Sequence, residues 1–146
     1  MGKRIISQAR GKGSLTYKVR KKAFKHRIKY PMQQGEAEII DIIHSPAHSA
    51  PLLKMKVNKT LFYNPAFNSA FTGQKISLSQ DEQPKQGDIS PVKNIPLSSP
   101  IYNIELNPGD GGKIMRSAGT SAILSKKLEN KKFAIQMPNK KEVIKK

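Results

Sequence analysis

Short runs of alternating apolar and polar residues, separated by turn residues, make up most of the chain after residue 30. In one run, Leu53, Met55 and Val57 share a face while lysines occupy the other, which is the two-residue period of a half-buried strand. Ten prolines and ten glycines interrupt the runs, and no window carries a helical stripe longer than two turns. The pattern predicts an all-β barrel or sandwich. The predicted strands are residues 36–43, 52–57, 60–63, 75–79, 101–106, 121–126, 132–137 and 141–145.

A proline-rich stretch interrupts this series of strands. Residues 84–100 contain four prolines and few large apolar side chains. Such a composition is typical of the boundary between two small domains. We therefore expect two β domains, at residues 31–90 and 91–146, preceded by a separate segment at residues 1–30.

The charge of the chain is unevenly distributed. Its 146 residues include 27 Lys and Arg against 10 Asp and Glu, a net charge of +17, and residues 1–30 hold eleven basic side chains and no acidic one. A segment that repels itself and has few apolar residues does not collapse alone, so we expect a polyanionic partner. We name residues 1–30 the basic arm. Its predicted nucleic-acid-binding residues are Lys3, Arg4, Arg10, Lys12, Lys18, Arg20, Lys21, Lys22, Lys25, Arg27 and Lys29.

Two other interpretations of the basic arm remain open. A mitochondrial transit peptide is also poor in acids, but it favours Arg and Ser, whereas the arm has seven Lys to four Arg. A solvated tail without a binding role is the second alternative. The sequence Arg10-Gly11-Lys12-Gly13-Ser14 favours nucleic acid, because glycine lets the backbone approach phosphates while the flanking cations neutralise them.

The sequence shows no pattern of a catalytic centre, a metal site or a cofactor-binding motif. It has no Cys, which excludes disulfides, thiolate metal sites and cysteine nucleophiles. His44 and His48 are four residues apart, but Pro46 between them prevents a helical pair of metal ligands. Residues 109–113 lack the spacing of a Walker loop. Apolar runs are too short for a membrane span, and no secretory signal is recognisable. We expect neither a membrane partner nor a small-molecule substrate.

A long loop at residues 107–120, between two predicted strands, is a second candidate for nucleic-acid binding. Long loops in compact domains are usually functional. This one offers small residues, exposed backbone N–H groups, hydroxyls and cations, which are the parts of a surface that contacts phosphate and ribose. A flexible hairpin with incidental charge is the alternative. The predicted binding residues of the loop are Lys113, Arg116, Ser117, Gly119 and Thr120.

Short sequence blocks, spread in order over almost the whole chain, carry a family resemblance. The blocks are residues 2–6 (GKRII), 8–14 (QARGKGS), 41–44 (DIIH) with Pro46, 50–52 (APL), 94–96 (NIP), 103–105 (NIE), 108–113 (PGDGGK) and 116–120 (RSAGT). In these blocks the chain resembles the universal large-subunit ribosomal protein two family, in its archaeal and eukaryotic branch. The last block is a signature that chance rarely produces.

The resemblance implies an OB-type barrel at residues 31–90, an SH3-like barrel at residues 91–146 and a basic extension that threads through ribosomal RNA. Family members normally continue into a long C-terminal extension. The second barrel is therefore expected to be incomplete in this chain, and open, divergent or completed by RNA or by a separate chain that supplies the missing part. Ala47 stands where the family usually has a glycine-rich turn, so we expect that turn to be rearranged.

The function implied by the resemblance is that of a structural constituent of the large ribosomal subunit, without catalysis and without a cofactor. Its expected partners are large-subunit ribosomal RNA and neighbouring ribosomal proteins, and its expected place is the cytoplasmic ribosome. There it would support subunit assembly, subunit association and translation. The alternative is a free-standing OB-fold protein that binds single-stranded RNA or acts as an RNA chaperone, stacking bases on surface aromatics. We expect the only aromatic cluster, Tyr63, Phe67 and Phe71, to pack in the core instead.

Overall fold

The computed structural model describes residues 2–78, 83–128 and 131–145. The regular secondary structure of the described residues is mainly β-strand, so the all-β prediction is confirmed. A single turn of 3-10 helix, Val92–Asn94, lies between the fourth and fifth strands. The remaining elements are α1 (Ile6–Gly11), β1 (Gly35–Ile43), β2 (Leu52–Val57), β3 (Thr60–Pro65), β4 (Lys75–Leu78), β5 (Pro100–Ile101), β6 (Ala122–Leu128), β7 (Lys132–Gln136) and β8 (Glu142–Lys145).

The strands of the described residues form two antiparallel four-stranded sheets. The first has the order β3-β2-β1-β4 and the second the order β5-β6-β7-β8. The first sheet ends at Leu78 and the second begins at Pro100, so the proline-rich residues lie between them. The more detailed expectation of an OB-type and an SH3-like barrel, with bounds at 31–90 and 91–146, stays a prediction.

Each sheet buries one apolar face. In β2 the alternation places Leu53, Met55 and Val57 in the core, where each is at most 1% exposed. Burying such a side chain contributes about 1.5–3 kcal/mol of transfer free energy. The buried cluster of the first sheet is Ala37, Ile39, Leu53, Met55, Val57, Phe62, Ile76 and Leu78. The smaller cluster of the second sheet is Ile101, Ile104, Ala122, Leu124 and Ile135.

Seven of the eight predicted strands are present, with ends that differ by at most two residues. Residue 79, the end of one of them, lies outside the described residues. The eighth prediction, a strand over 101–106, is wrong beyond Ile101. Asn103 has a φ of 50°, which interrupts the extended backbone. After that break, Ile104 forms only an isolated bridge with Ile114.

The basic arm joins the fold at its C-terminal end. Its helix α1 has no buried residue, so it adds nothing to either core. Ile28, in contrast, is buried and pairs with Tyr63 of β3 in an isolated parallel bridge. The backbone N–H of Lys29 donates to the carbonyl oxygen of Tyr63 at 3.3 Å. The last residues of the arm therefore belong to the folded part of the chain.

Candidate nucleic-acid interface

All eleven predicted cations of the basic arm, from Lys3 to Lys29, have exposed side chains. The described residues form a single ion pair, between Lys75 and Glu36 at 3.5 Å. The arm cations therefore have no carboxylate partner within the described part of the chain. An exposed group of like charges without internal counter-charge attracts a polyanion and raises its association rate.

Two carboxylates hold the first half of the loop at residues 107–120. Glu105 accepts hydrogen bonds from the backbone N–H groups of Gly109 at 3.0 Å and Gly111 at 2.8 Å. Asp110 accepts from Leu106, Asn107 and Gly112, at 3.1, 3.2 and 3.2 Å. The expectation that this half offers exposed N–H groups to phosphate is wrong for these glycines, because acids already occupy them. The sequence signal was there: Asp next to glycines is typical of such side-chain-to-backbone turns.

The electrostatics of Asp110 follow from these bonds. Desolvation acts to raise its pKa, but the N–H groups of Asn107, Gly112 and Leu106, together with the charge of Lys113, lower the pKa below its ordinary value. The carboxylate is thus ionised at neutral pH and remains an acceptor. A negatively charged carboxylate disfavours a phosphate next to Asp110, so the second half of the loop is the better candidate for phosphate binding.

The second half of the loop presents the predicted binding residues at or near the surface. The side chains of Lys113 and Ser117 are exposed. Arg116 is half-buried, and its Nη1 lies 3.4 Å from the carbonyl oxygen of Gly112. The hydroxyl of Thr120 donates to the carbonyl oxygen of Ser117 at 2.7 Å, so it closes the turn. Gly119 is exposed with a φ of 67°, and a Cβ built on it meets no atom within 4 Å.

The loop contacts both the basic arm and the turn between β1 and β2. A Cβ built on Gly111 would lie 2.8 Å from Cγ of Lys29, which places the loop against the end of the arm. The backbone N–H of Ala118 donates to Oγ of Ser49 at 3.0 Å. Lys29 is the predicted arm residue that the structure brings to the loop. Within the described residues, no side-chain hydrogen bond or ion pair joins any of the other ten arm cations to the loop.

A buried polar junction, which the sequence analysis did not identify, joins the arm to both sheets. The hydroxyl of Tyr30 donates to the carbonyl oxygen of Asn103 at 2.6 Å. The side-chain amide of Asn103 donates to Oδ1 of Asn64 at 3.3 Å. Burial raises the pKa of Tyr30, with smaller contributions from Tyr102 and Glu105. Burial also raises the pKa of Tyr102 to about 12, so both phenols stay neutral donors at neutral pH.

The turn at residues 46–49 lies beside the loop. The backbone of Ala47 does not have a positive φ. The backbone N–H of His48 donates to the carbonyl oxygen of Ser45 at 3.0 Å, and Oγ of Ser45 lies 2.8 Å from Nδ1 of His48. A hydrogen-bonded turn thus forms without a glycine, and the fully buried Ser45 fixes the imidazole of His48.

Other kinds of site find little support in the described residues. No group of three or more His, Cys, Asp or Glu side chains within them is arranged to hold a metal ion. No helix of the described chain combines the length and the apolar character needed to cross a bilayer.

Comparisons with known proteins identify the family. Residues 85–145 match the family model described as Ribosomal Proteins L2, C-terminal domain. The large ribosomal subunit protein uL2 of Hyperthermus butylicus is 39% identical over 145 residues, which cover 97% of this chain and 60% of that protein. The uL2 proteins of Picrophilus torridus and Thermoplasma acidophilum are 42% and 43% identical over 125 residues, which cover 85% of this chain and 53% of each. The chain is homologous to these uL2 proteins over 85–97% of its own length.

The family resemblance inferred from the sequence blocks is therefore confirmed. The chain spans between 53% and 60% of the length of these three relatives. The match to the family model begins within the proline-rich stretch and includes the whole loop at residues 107–120. The candidate interface thus comprises one part inside the matched domain, the loop, and one part before it, the basic arm.

Proposed function

We propose that this chain is a structural constituent of the large ribosomal subunit that binds ribosomal RNA. The observation that carries the proposal is the name of its relatives, which are large ribosomal subunit proteins uL2 at 39–43% identity. The exposed basic arm supports it, because its eleven cations, which form no ion pair within the described residues, attract a polyanion of the kind that folded RNA provides. Its place is then the ribosome in the cytoplasm, where it supports subunit assembly, subunit association and translation without catalysis of its own.

The two parts of the candidate interface have different tasks in this proposal. The arm, from Lys3 to Lys29, neutralises phosphates along its length and becomes ordered against RNA. The loop, through Lys113 and Arg116, binds individual backbone phosphates, while Gly119 permits close approach to ribose and base edges. The arm contributes affinity that decreases as the salt concentration rises, whereas the loop contributes contacts of defined geometry to individual phosphates.

The two antiparallel sheets support the further proposal of an OB-type barrel followed by an SH3-like barrel. Neighbouring ribosomal proteins are proposed as additional partners.

The alternative function, a free-standing RNA chaperone, is not favoured. Such a protein stacks bases on clustered surface aromatics. Phe67 is packed against the first core, and the ring of Tyr63 lies 4.7 Å from that of His26. Phe71 is 60% exposed, and a single exposed ring is a poor platform. The prediction that all three pack in the core is wrong for Phe71.

Sedimentation in a sucrose gradient tests the proposal. The tagged full chain, expressed in cells, should sediment with the large subunit and its precursors, and should remain there after a wash at moderate salt. A matched variant with the arm lysines Lys18, Lys21, Lys22 and Lys25 replaced by Gln should shift toward the top of the gradient. Sedimentation of the unaltered chain mainly outside the large subunit would overturn the proposal and favour the chaperone.

A further inference from the structure

Three half-buried side chains come from three separate segments that lie around the turn at residues 46–49. His26 comes from the basic arm, His48 from the turn at 46–49 and Arg116 from the loop. The ring of His48 lies 6.5 Å from that of Phe24 in an edge-on arrangement, which places the arm against the turn. The bond from Ala118 to Ser49 places the loop against the same turn. Both Arg116 and His26 are near enough to His48 to act on its charge.

The hydrogen-bonding capacity of these side chains is mostly unused. Nδ1 of His48 is engaged by Ser45, which leaves Nε2 as the nitrogen available to a ligand. A guanidinium has five N–H donors. Arg116 uses one of them in a long hydrogen bond to the carbonyl oxygen of Gly112, at 3.4 Å. The ring of His26 lies against Tyr63. The described residues offer no carboxylate in an ion pair with any of the three.

An anion is the ligand that such a group of side chains fits. Like charges gathered in a half-buried place repel one another unless a negative charge lies between them. The groups that face His48 are Arg116 and His26, both cationic when protonated, and the uncharged Phe24 and Ser45. Desolvation lowers the pKa of His48, and the charges of Arg116 and His26 lower it further. A phosphate would reverse this effect, because it stabilises the protonated imidazole.

We propose that His26, His48 and Arg116 together bind one backbone phosphate of RNA, and that binding at this site strengthens as the pH falls. This inference rests on the proposed RNA-binding function and assigns to it a site separate from the long cationic arm. Arg116 can bind two phosphate oxygens with its planar fork. His48 donates from Nε2, and the imidazole of His26 is the third member of the site. The ring of Tyr63 lies 4.7 Å from that of His26, and the ring of Phe24 lies 6.5 Å from that of His48.

The test measures affinity for a fragment of large-subunit ribosomal RNA at constant salt, at several pH values between 5.5 and 7.5. Acidification should strengthen binding of the unaltered chain about tenfold, since a histidine titrates in this range. The variants His48→Gln and His26→Gln should each reduce that gain to about threefold or less. His44→Gln is the matched control, because His44 is an exposed histidine outside the site, and it should keep the full gain.

A second measurement does not depend on a variant that folds. The pKa of His48 in the unaltered chain, followed by NMR, should rise when the RNA fragment is added. A rise with RNA and with inorganic phosphate would assign a general phosphate site, whereas a rise with RNA alone would assign a site for phosphate within the polymer. No rise with either overturns the inference.

The two ways to fail are distinguishable. If the chain binds no ribosomal RNA at any pH, the proposed function itself is wrong. If it binds tightly and all three histidine variants keep the same pH dependence, the function stands and the histidine site is refuted.

Discussion

The hydroxyl of Tyr30 donates a 2.6 Å hydrogen bond to the carbonyl oxygen of Asn103, a residue 73 positions further along the chain. The side chain of Asn103 in turn reaches Asn64 at the end of β3. One buried node therefore connects the basic arm, the first sheet and the segment that leads into the loop. Because the loop begins only a few residues after Asn103, the stability of this node determines how well the loop is positioned relative to the arm.

Replacing Tyr30 with Phe should destabilise the protein. The ring still fills its place, but the carbonyl oxygen of Asn103 loses its donor, and we expect the free energy of unfolding to fall by about 1–2 kcal/mol. Urea unfolding at pH 7 measures the change. Tyr17→Phe is the control, because Tyr17 is 43% exposed in the arm and should leave stability unaltered. Equal midpoints for all three proteins would show that the bond does not stabilise the fold.

The same bond predicts how stability changes at high pH. Burial raises the pKa of Tyr30 above that of an unfolded tyrosine, which is 10.0. As the pH rises past 10, the unfolded chain releases the phenolic proton first, so the free energy of unfolding decreases. The Tyr30→Phe variant lacks this contribution. The difference in free energy of unfolding between the unaltered chain and the variant should therefore become smaller from pH 8 to pH 11. Urea midpoints at both pH values measure the gap.

Tyr102 provides the control for this comparison. Burial raises the pKa of Tyr102 to about 12. Tyr102 therefore also lowers the free energy of unfolding as the pH rises past 10, and it still does so in the Tyr30→Phe variant. The double variant Tyr30→Phe/Tyr102→Phe should show the weakest decrease. All the variants contain the same lysines, so the lysines do not affect the comparison. A gap that widens with pH would contradict the assignment.

Two glycines of the loop should differ sharply when replaced by Ala. Gly112 has a φ of 87°, and a Cβ built on it would clash with Oδ1 of Asn103. Gly109 has a φ of 85°, but its Cβ would meet nothing within 4 Å. Both substitutions strain the backbone, and only Gly112→Ala also crowds the buried node. We expect it to reduce the free energy of unfolding by about 1–3 kcal/mol more than Gly109→Ala does. Similar losses in thermal unfolding would contradict this reading of the node.

The strands could be predicted because their apolar period is local. The alternation within Leu52–Val57 specifies both the strand and its buried face. The strand predicted beyond Ile101 failed because the left-handed backbone of Asn103 depends on Tyr30, Asn64 and the close approach of Gly112, all distant in sequence. Periodicity carries no information about such a contact.

The candidate site, like the fold, has features that the sequence alone predicts and others that depend on contacts between distant residues. The exposure of the arm cations follows from the charge and from the small number of apolar residues that the arm can bury. The occupation of the loop N–H groups by Glu105 and Asp110 depends on how the glycines turn. His48 shows the limit most plainly, because spacing along the chain argued against a metal pair but could not place Arg116 or Phe24 beside it.

Binding of RNA through the arm should depend strongly on salt. Deleting residues 1–22 removes eight of the eleven arm cations and leaves Ile28 and Tyr30 in place. Each phosphate contact contributes about 0.7–0.9 to the slope of log affinity against log salt, so the deletion should flatten the slope by several such contributions. A variant with Lys56 and Lys59 replaced by Ala, outside the arm and the loop, serves as the control. An unchanged slope after deletion would identify the arm as a solvated tail.

Substitutions in the loop should act on specific affinity rather than on the salt slope. Arg116→Lys keeps the charge but loses the planar fork, and we expect a loss of about 1 kcal/mol in binding to a large-subunit RNA fragment. Lys21→Ala, in the arm, should lose less, because ten other cations share its task. Affinity is measured at one salt concentration, with the fold of each variant checked separately. An equal loss for Lys21→Ala would show that the loop is not a specific site.

Gly119 allows the backbone and the surface to be tested independently. Its φ of 67° is strained for a β-branched residue, whereas Asn tolerates that conformation. Its Cβ position is open in the free chain, so neither substitution creates a clash without RNA. Gly119→Val should weaken RNA binding at least as much as Arg116→Lys. If RNA approaches the backbone there, Gly119→Asn should weaken binding nearly as much, since any side chain blocks the approach. Full affinity for Gly119→Asn would mean that only the left-handed turn matters, and full affinity for both would remove Gly119 from the interface.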